Sequence, residues 1–146
     1  MNILVSACLL GLPARYDGKS KGCGWVLRLA DKHTLIPVCP EQMGGLPTPR
    51  TPSECQGALV MDRNGVDRTE AYRRGAECAV KLAEINHCTM AILKQRSPSC
   101  GSKAIYDGTF SGKVVPGAGV AAKALQAAGV QVFSEEDQAA VETMLR

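Results

Sequence analysis

Cysteine is the residue type in this chain with the clearest capacity for chemistry, because its thiolate binds soft metals and attacks electrophiles. There are seven: Cys8, Cys23, Cys39, Cys55, Cys78, Cys88 and Cys100. No two of them form a C-x-x-C motif, which excludes the usual spacings of zinc ribbons, thioredoxins and ferredoxins. Any chemistry that the cysteines share must therefore be assembled by the fold.

The elements that must position these cysteines alternate along the chain. Apolar runs predict strands over residues 2–6, 34–38, 90–94 and 130–133, and helices are predicted over residues 21–32, 67–86, 119–128 and 134–146. Long loops are predicted over residues 44–57 and 95–116, with a short strand at 58–62. Strands that alternate with helices form parallel pairs joined by right-handed crossovers. The sequence therefore predicts an α/β fold: a single three-layer domain, residues 1–146, with a roughly four-stranded parallel, Rossmann-like sheet.

Three of the cysteines follow strands. Cys8 lies two residues after the first predicted strand, Cys39 one residue after the second, and Cys100 six residues after the third. The carboxyl ends of parallel strands share one edge of an open sheet, and ligands bind there. Glycine, proline or serine lies next to or near each of the three, and such residues let backbone N–H groups approach bound sulfur closely. We therefore expect Cys8, Cys39 and Cys100 to form one site.

Three thiolates suit two kinds of centre. They can bind zinc with an open fourth position, or a cubane iron–sulfur cluster with one iron left free. The residues alone leave these alternatives open. His33 and His87 precede strands rather than follow them, so neither is predicted as a fourth ligand. The other four cysteines lack the strand-end context, and Cys78 in particular is predicted to fill the core.

Polar residues near the three cysteines have candidate roles in catalysis. Glu41 is two residues from Cys39, and a carboxylate there can serve as a general base. Ser97 and Ser99 can hydrogen-bond a substrate or a cluster sulfide. Four cations are candidates for orienting a polar ligand: Arg15, Arg50, Lys94 and Lys103.

Two further patterns are predicted to be structural. Residues 117–122 fit G-x-G-x-x-A, and Glu135 follows near the distance of a ribose-binding acid, but too little sequence remains for the rest of a dinucleotide domain. Tight helix packing is the preferred interpretation, with anion binding at the helix N-terminus as the lesser one. A Tyr-Asp-Gly sequence occurs twice, and Asp17 and Asp107 are predicted to form turns there.

Composition sets limits on function. The 146 residues are 45% hydrophobic and 21% charged, as in a globular protein, and need no disulfides for a core. A net charge of +3 and 4% aromatic residues argue against a nucleic-acid partner. No long apolar run or export signal is evident, so we expect no membrane partner, a cytoplasmic location and reduced thiols. The sequence does not indicate the oligomeric state.

The motifs resemble those of a known family. They are Ser6-Ala7-Cys8-Leu9-Leu10-Gly11, Arg15-Tyr16-Asp17-Gly18, Pro37-Val38-Cys39-Pro40-Glu41, Gly44-Gly45-Leu46, Pro49-Arg50, Leu93-Lys94, Ser97-Pro98-Ser99-Cys100-Gly101 and Ile105-Tyr106-Asp107-Gly108-Thr109-Phe110. In this combination they are similar to the bacterial thiouracil desulfidase family, a small family formerly classed as a domain of unknown function. The resemblance extends over nearly the whole chain, to about Ser134.

The resemblance implies a cofactor, a substrate and roles. A [4Fe–4S] cluster would be held by Cys8, Cys39 and Cys100 with one iron open, and would remove sulfur from a thiolated pyrimidine such as 2-thiouracil. The products would be uracil and sulfide, without net redox change. By position, Glu41 corresponds to the proton-transfer residue and Ser97 to a residue that positions substrate or relays a proton.

Two alternatives use the same cysteines. One is a non-catalytic carrier of a metal or an iron–sulfur cluster, for which Glu41 would be dispensable. The other is a thiol redox protein, which the absence of C-x-x-C disfavours.

Overall fold

The computed structural model describes all 146 residues, Met1–Arg146. It has eight strands: β1 (Asn2–Ser6), β2 (Thr34–Val38), β3 (Ser53–Gln56), β4 (Leu59–Asp62), β5 (Met90–Leu93), β6 (Ala104–Tyr106), β7 (Val114–Pro116) and β8 (Gln131–Ser134). It has five α-helices: α1 (Gly24–Arg28), α2 (Pro40–Met43), α3 (Thr69–Ile85), α4 (Val120–Ala127) and α5 (Gln138–Met144). Short 3₁₀ turns follow β1 at Ala7–Leu10 and α1 at Leu29–Asp31. No helix combines the length and the apolar character that a membrane crossing requires.

A four-stranded sheet forms the centre of the fold, in the order β2-β1-β5-β8. Every pair in it is parallel, which confirms the predicted α/β sheet. Pro37 lies on β2, the edge strand, where its missing N–H leaves no gap in a ladder on the outer side. After β1 the chain adds β2 on one side of it, and the later strands β5 and β8 are added on the other side. The order therefore reverses between β1 and β5, and this switch point is where open α/β sheets bind ligands.

Alternate side chains of the central strands build two cores. Leu4, Ala91 and Leu93 face α3 and α4, which bring a row of alanines and Leu125 to the sheet. Ile3, Val5, Met90 and Ile92 face the opposite side, where they meet Val26 of α1 and Val141 of α5. The two-residue period of a strand sends neighbours to opposite faces, so a strand buried on both sides is apolar throughout. This arrangement is the predicted three-layer architecture.

Two hairpins were not predicted, although β4 coincides with the short strand predicted over residues 58–62. β3 pairs with β4 and β6 pairs with β7, both antiparallel, and the buried Glu54 joins the hairpins by accepting N–H groups of Gly108 and Phe110. The loop predictions for residues 44–57 and 95–116 were therefore partly wrong. These strands are three or four residues long and are bounded by glycine and proline, so their pairing depends on tertiary contacts that periodicity does not show. The helix predicted over residues 21–32 is also shorter, because α1 ends at Arg28 and tightens into a 3₁₀ turn.

Candidate active site

A cavity of about 660 Å³ opens at the carboxyl edge of the sheet, beside the switch point between β1 and β5. All five residues proposed as ligands or catalysts from the sequence line it: Cys8, Cys39, Glu41, Ser97 and Cys100. Its volume lies in the range of small-molecule sites, about 300–1,000 Å³. The fold thus brings together residues that are up to 92 positions apart in the sequence.

Each thiol is positioned by a different strand exit. Cys8 lies in the 3₁₀ turn that directly follows β1, and Cys39 is the residue between β2 and α2, where it caps that helix. Cys100 lies in the loop after β5 and is buried. Cys8 is also buried, and Cys39 is partly exposed. The three thiols therefore reach one cavity from three separate strand exits.

The loop that carries Cys100 is fixed against the start of α4. The carbonyl oxygens of Pro98, Ser99 and Gly101 accept the N–H groups of residues 119–122, which are the orphan donors of that helix end. A Cβ atom on Gly119 would lie 2.5 Å from the backbone of Ser99, so only glycine permits this approach. The G-x-G-x-x-A segment thus serves helix packing, as predicted. The lesser interpretation, anion binding at this helix end, is wrong because the loop carbonyls already occupy the donors.

Burial shapes the acidity of the three thiols. It raises the pKa of Cys8 to about 11 and that of Cys100 to about 12, and it also raises the pKa of Cys39. Backbone N–H groups of Gln42 and Glu41 partly oppose this effect at Cys39. The thiols are consequently neutral near pH 7 and release protons when they bind a metal.

Three thiols can serve either a cluster or a single soft metal ion. No group of three or more His, Cys, Asp or Glu side chains is arranged closely enough to hold one metal ion. Thiolates that share one zinc must crowd around it, whereas the ligands of a cubane each bind a different iron and stand further apart. Three thiols that line one roomy cavity therefore suit the ligand set of a cubane with one open iron.

Glu41 is the centre of the polar network in the cavity. Its Oε1 accepts a hydrogen bond from Arg50 Nε at 2.9 Å, and its Oε2 accepts one from Ser99 Oγ, also at 2.9 Å. Ser97 Oγ is 3.5 Å from the same Oε2 and 3.0 Å from Ser99 Oγ. Ser99 donates to Glu41, and the hydroxyl of Ser97 can donate either to Ser99 Oγ or to the same Glu41 Oε2. The two hydroxyls form a chain that ends on the carboxylate.

Ser97 also shapes the cysteine loop. Its Oγ accepts the backbone N–H groups of Ser99 at 3.2 Å and Cys100 at 3.1 Å. Ser99 Oγ lies 3.5 Å from the sulfur of Cys100, so the same serines contact both the carboxylate and a thiol. A structural role for Ser97 therefore accompanies any role in proton transfer.

The contact between α2 and α3 places Cys39 and Glu41. A Cβ atom on Gly75 would lie 1.8 Å from the Pro40 carbonyl oxygen, and one on Gly44 would lie 1.9 Å from the Ala71 carbonyl oxygen. The two glycines thus let the helix backbones touch at both ends of α2. Pro40 separates Cys39 from Glu41, so this contact sets the height of both residues above the sheet.

The other residues singled out in the sequence divide into two groups. Arg15, Arg50 and Lys94 line the cavity, whereas Lys103 is exposed outside it and pairs with Asp137 at 3.0 Å. The candidate role of Lys103 was therefore wrong: the residue lies directly before β6, and its side chain is exposed to solvent. Glu135 binds Lys94 Nζ at 2.8 Å and the N–H of Gln95 at 2.7 Å. It therefore holds two residues that line the cavity.

Residues predicted to be structural stay outside the cavity lining. They are Cys23, Cys55, Cys78, Cys88, His33 and His87. Cys88 packs in the core, but Cys78 is only partly buried, contrary to the prediction, because Ala76, Ala79 and Ala83 are the residues of α3 that face the sheet. Asp17 and Asp107 accept backbone N–H groups two residues ahead, as turn formers do.

Sequence reasoning missed the aromatic lining of the cavity. The chain has six aromatic residues, and four of them line this cavity: Tyr16, Tyr72, Tyr106 and Phe110. Tyr72 is fully buried beside Glu41, and burial raises its pKa. The repeated Tyr-Asp-Gly sequence was the available signal, since both of its tyrosines reach the cavity from separate turns.

Comparisons with known proteins identify the family of the chain. Residues 3–137 match the family model described as 2-thiouracil desulfurase. The chain is 41% identical over 145 residues to a Bacillus subtilis protein described as uncharacterized protein YbbK, with 92% of this chain and 96% of that protein covered. A solved structure of a [4Fe-4S]-dependent thiouracil desulfidase, TudS, superposes with a TM-score of 0.94 at 45% identity and covers 99% of this chain and 97% of that one. The chain belongs to the 2-thiouracil desulfurase family.

Proposed function

We propose that this protein is a [4Fe–4S]-dependent thiouracil desulfidase whose cluster is held by Cys8, Cys39 and Cys100. The observation that carries the proposal is that three thiols and a hydrogen-bonded carboxylate share one cavity at the switch point of the sheet. The similar structure named as a [4Fe-4S]-dependent thiouracil desulfidase supports both the cofactor and the reaction.

The residues fit the cluster in chemistry and number. Thiolates are the ligands that iron–sulfur clusters prefer, and three of them leave one iron of a cubane without a protein ligand. When bound, the cluster supplies that open iron as a soft Lewis acid, which suits the sulfur of a thiocarbonyl group. Backbone N–H groups near Cys39 provide donors that stabilise a thiolate at this position.

Glu41 is the proposed acid and base. The reaction consumes one water and converts a C=S group to C=O with release of sulfide, so electrons balance without an external donor or acceptor. A water in the cavity transfers a proton to Glu41 Oε2 as its oxygen adds to the carbon that bears sulfur. Ser99 and Ser97 form the hydroxyl chain on that oxygen, and Ser97 reaches the cavity surface. That proton returns to the departing sulfur along the same groups, and the hydroxyl left on the carbon releases its own proton to solvent as the C=O bond forms and the C–S bond breaks.

The cavity walls suit a planar pyrimidine. Tyr106 and Phe110 belong to the β6–β7 hairpin and its connection, and Tyr16 lies on the facing loop. Aromatic rings offer a planar heterocycle contact area without requiring charge. We therefore place the pyrimidine ring against this aromatic wall, with its sulfur directed toward the three cysteines.

Two variants test the proposal and separate it from a carrier. Cys8→Ser should abolish stable cluster assembly and, with it, the desulfuration of 2-thiouracil. Glu41→Gln should keep about four irons per chain, because the amide can still accept from Arg50, yet lower turnover by about 10²–10⁴-fold, the usual contribution of a general acid–base group. Both proteins are prepared anaerobically and assayed for iron, sulfide and uracil.

A matched control is Glu77→Gln, the same change on the exposed face of α3, which should leave iron content and turnover unchanged. A non-catalytic carrier would show no turnover in the unaltered protein and no effect of Glu41→Gln on iron content or cluster transfer. Full desulfuration by Cys8→Ser protein that lacks iron would refute the proposed function.

A further inference from the structure

Arg50 is the one cation in the cavity that contacts both the carboxylate and a thiol of the site. Its Nε donates to Glu41 Oε1 at 2.9 Å, and its Nη2 lies 3.9 Å from Cys39 Sγ with hydrogen-bonding geometry. Its side chain is only 6% exposed. A guanidinium buried to this degree is retained only where its donors are satisfied.

The remaining donors of Arg50 fix its position. Nη1 donates to Thr48 Oγ1 at 2.8 Å and to the Pro47 carbonyl at 3.3 Å, and Nη2 donates to the Ala14 carbonyl at 2.9 Å. These partners come from the loops after β1 and after α2. These hydrogen bonds fix the plane of the guanidinium group, so that Nε is directed to Glu41 and Nη2 to Cys39.

Cys39 changes its hydrogen-bonding role when it binds iron. The protonated thiol of Cys39 donates to the Ala14 carbonyl at 3.6 Å. A ligating thiolate has no proton to donate and becomes an acceptor. Arg50 Nη2 already bonds the same Ala14 carbonyl, so it is the donor positioned to satisfy both that oxygen and the sulfur.

We propose that Arg50 is a positioning residue that orients Glu41 and donates a hydrogen bond to the cluster-ligating sulfur of Cys39. The inference rests on the proposed function, since it requires a cluster on Cys39. One guanidinium then serves the proton-transfer group and the cofactor together. Lysine cannot replace it, because an ammonium group is a point donor without the planar fork that reaches two partners in fixed directions.

The inference predicts effects on the cofactor as well as on turnover. A hydrogen bond or a cation near a ligand sulfur stabilises the more negative, reduced cluster, so its loss lowers the reduction potential. Loss of a partner that orients a ligand or a catalytic group usually costs about 10- to 100-fold in activity or metal affinity. We expect Arg50→Gln and Arg50→Lys to show both effects, with the decrease in activity in kcat rather than in KM.

The test measures the reduction potential and the steady-state kinetics of the anaerobically prepared full chain. Arg50→Gln and Arg50→Lys are compared with Arg73→Gln, which removes one cation from the exposed face of α3 and should match the unaltered protein. Arg50→Ala is assayed with and without added guanidinium ion, which should restore turnover by refilling the space beside Glu41. Rescue by guanidinium distinguishes orientation of Glu41 from a general loss of folding.

The outcomes separate this inference from the proposed function. If the unaltered protein has four irons and desulfurates 2-thiouracil while the Arg50 variants keep its potential and kcat, the role of Arg50 is overturned and the function stands. If lysine restores both quantities, positive charge alone suffices and the positioning role is overturned. If the unaltered protein assembles no cluster, the proposed function fails, and the inference fails with it.

Discussion

The backbones of α2 and α3 are in contact at Gly75, and one added methyl group there should impair the active site. A Cβ atom there would lie 1.8 Å from the Pro40 carbonyl oxygen, and Cβ contacts below 3.0 Å essentially do not occur. α2 must therefore move away by at least about 1.2 Å in Gly75→Ala, because the neighbour is backbone and has no rotamer to change. Cys39 and Glu41 flank Pro40 and move with it.

A displacement of this size has a known effect on the rate of catalysis. A shift of about 1 Å in a reacting group can cost about 10²-fold in rate. We therefore expect kcat/KM on 2-thiouracil, expressed per assembled cluster, to fall about 100-fold in Gly75→Ala. Helix propensity alone predicts that Gly75→Ala is more stable than the unaltered protein, since alanine stabilises a helix interior by about 1 kcal/mol relative to glycine.

The assay combines iron analysis, near-ultraviolet circular dichroism and steady-state kinetics. Glu77→Ala is the matched control on the same helix, because its side chain is exposed and its pair with Arg73 contributes little. A Gly75→Ala protein that keeps both its cluster and its full activity would show that α2 does not position the site through this contact.

Three further predictions concern the serine chain, the aromatic wall and the thiols. Ser99→Ala should lower kcat by about tenfold or more while the cluster is retained, because Glu41 loses a 2.9 Å hydrogen bond; unchanged kinetics would exclude Ser99 from the chain. Phe110→Leu should raise KM for 2-thiouracil and leave kcat nearly unchanged, and a changed kcat with constant KM would place the ring elsewhere. The cluster-free protein should lose stability as the pH rises above 9, because unfolded thiols ionise near pH 9 whereas the raised pKa values of Cys8 and Cys100, about 11 and 12, keep the folded thiols protonated. Urea unfolding between pH 8 and 11 measures this slope, and a flat profile would contradict it.

The central sheet was predictable because its strands are short apolar runs separated by helices. β1 and β2 have the predicted bounds, and β5 ends one residue earlier than predicted. The convergence of Cys8, Cys39 and Cys100 followed from one rule, that parallel strands end at one edge. Their identity as ligands stays a prediction that iron analysis of the variants will test.

Other parts of the site depend on contacts that local patterns do not encode. The hairpins β3–β4 and β6–β7 are too short to show a period, and Glu54 joins them across more than 50 residues. The central place of Ser99, which is buried against Glu41, was visible only in the fold, since Ser97 and Ser99 look alike in the sequence. Gly75 likewise appeared as an ordinary helix residue, because its partner Pro40 lies 35 positions away.

A [4Fe–4S]-dependent reaction requires that turnover depend on iron content in the anaerobic protein. Preparations reconstituted to different iron levels are given 2-thiouracil without any electron donor or acceptor, and uracil and sulfide are quantified. Both products should form in equal amounts, and the rate should rise in proportion to cluster content, up to about four irons per chain. Turnover that is independent of iron, or that requires an added reductant or oxidant, would contradict the proposed function.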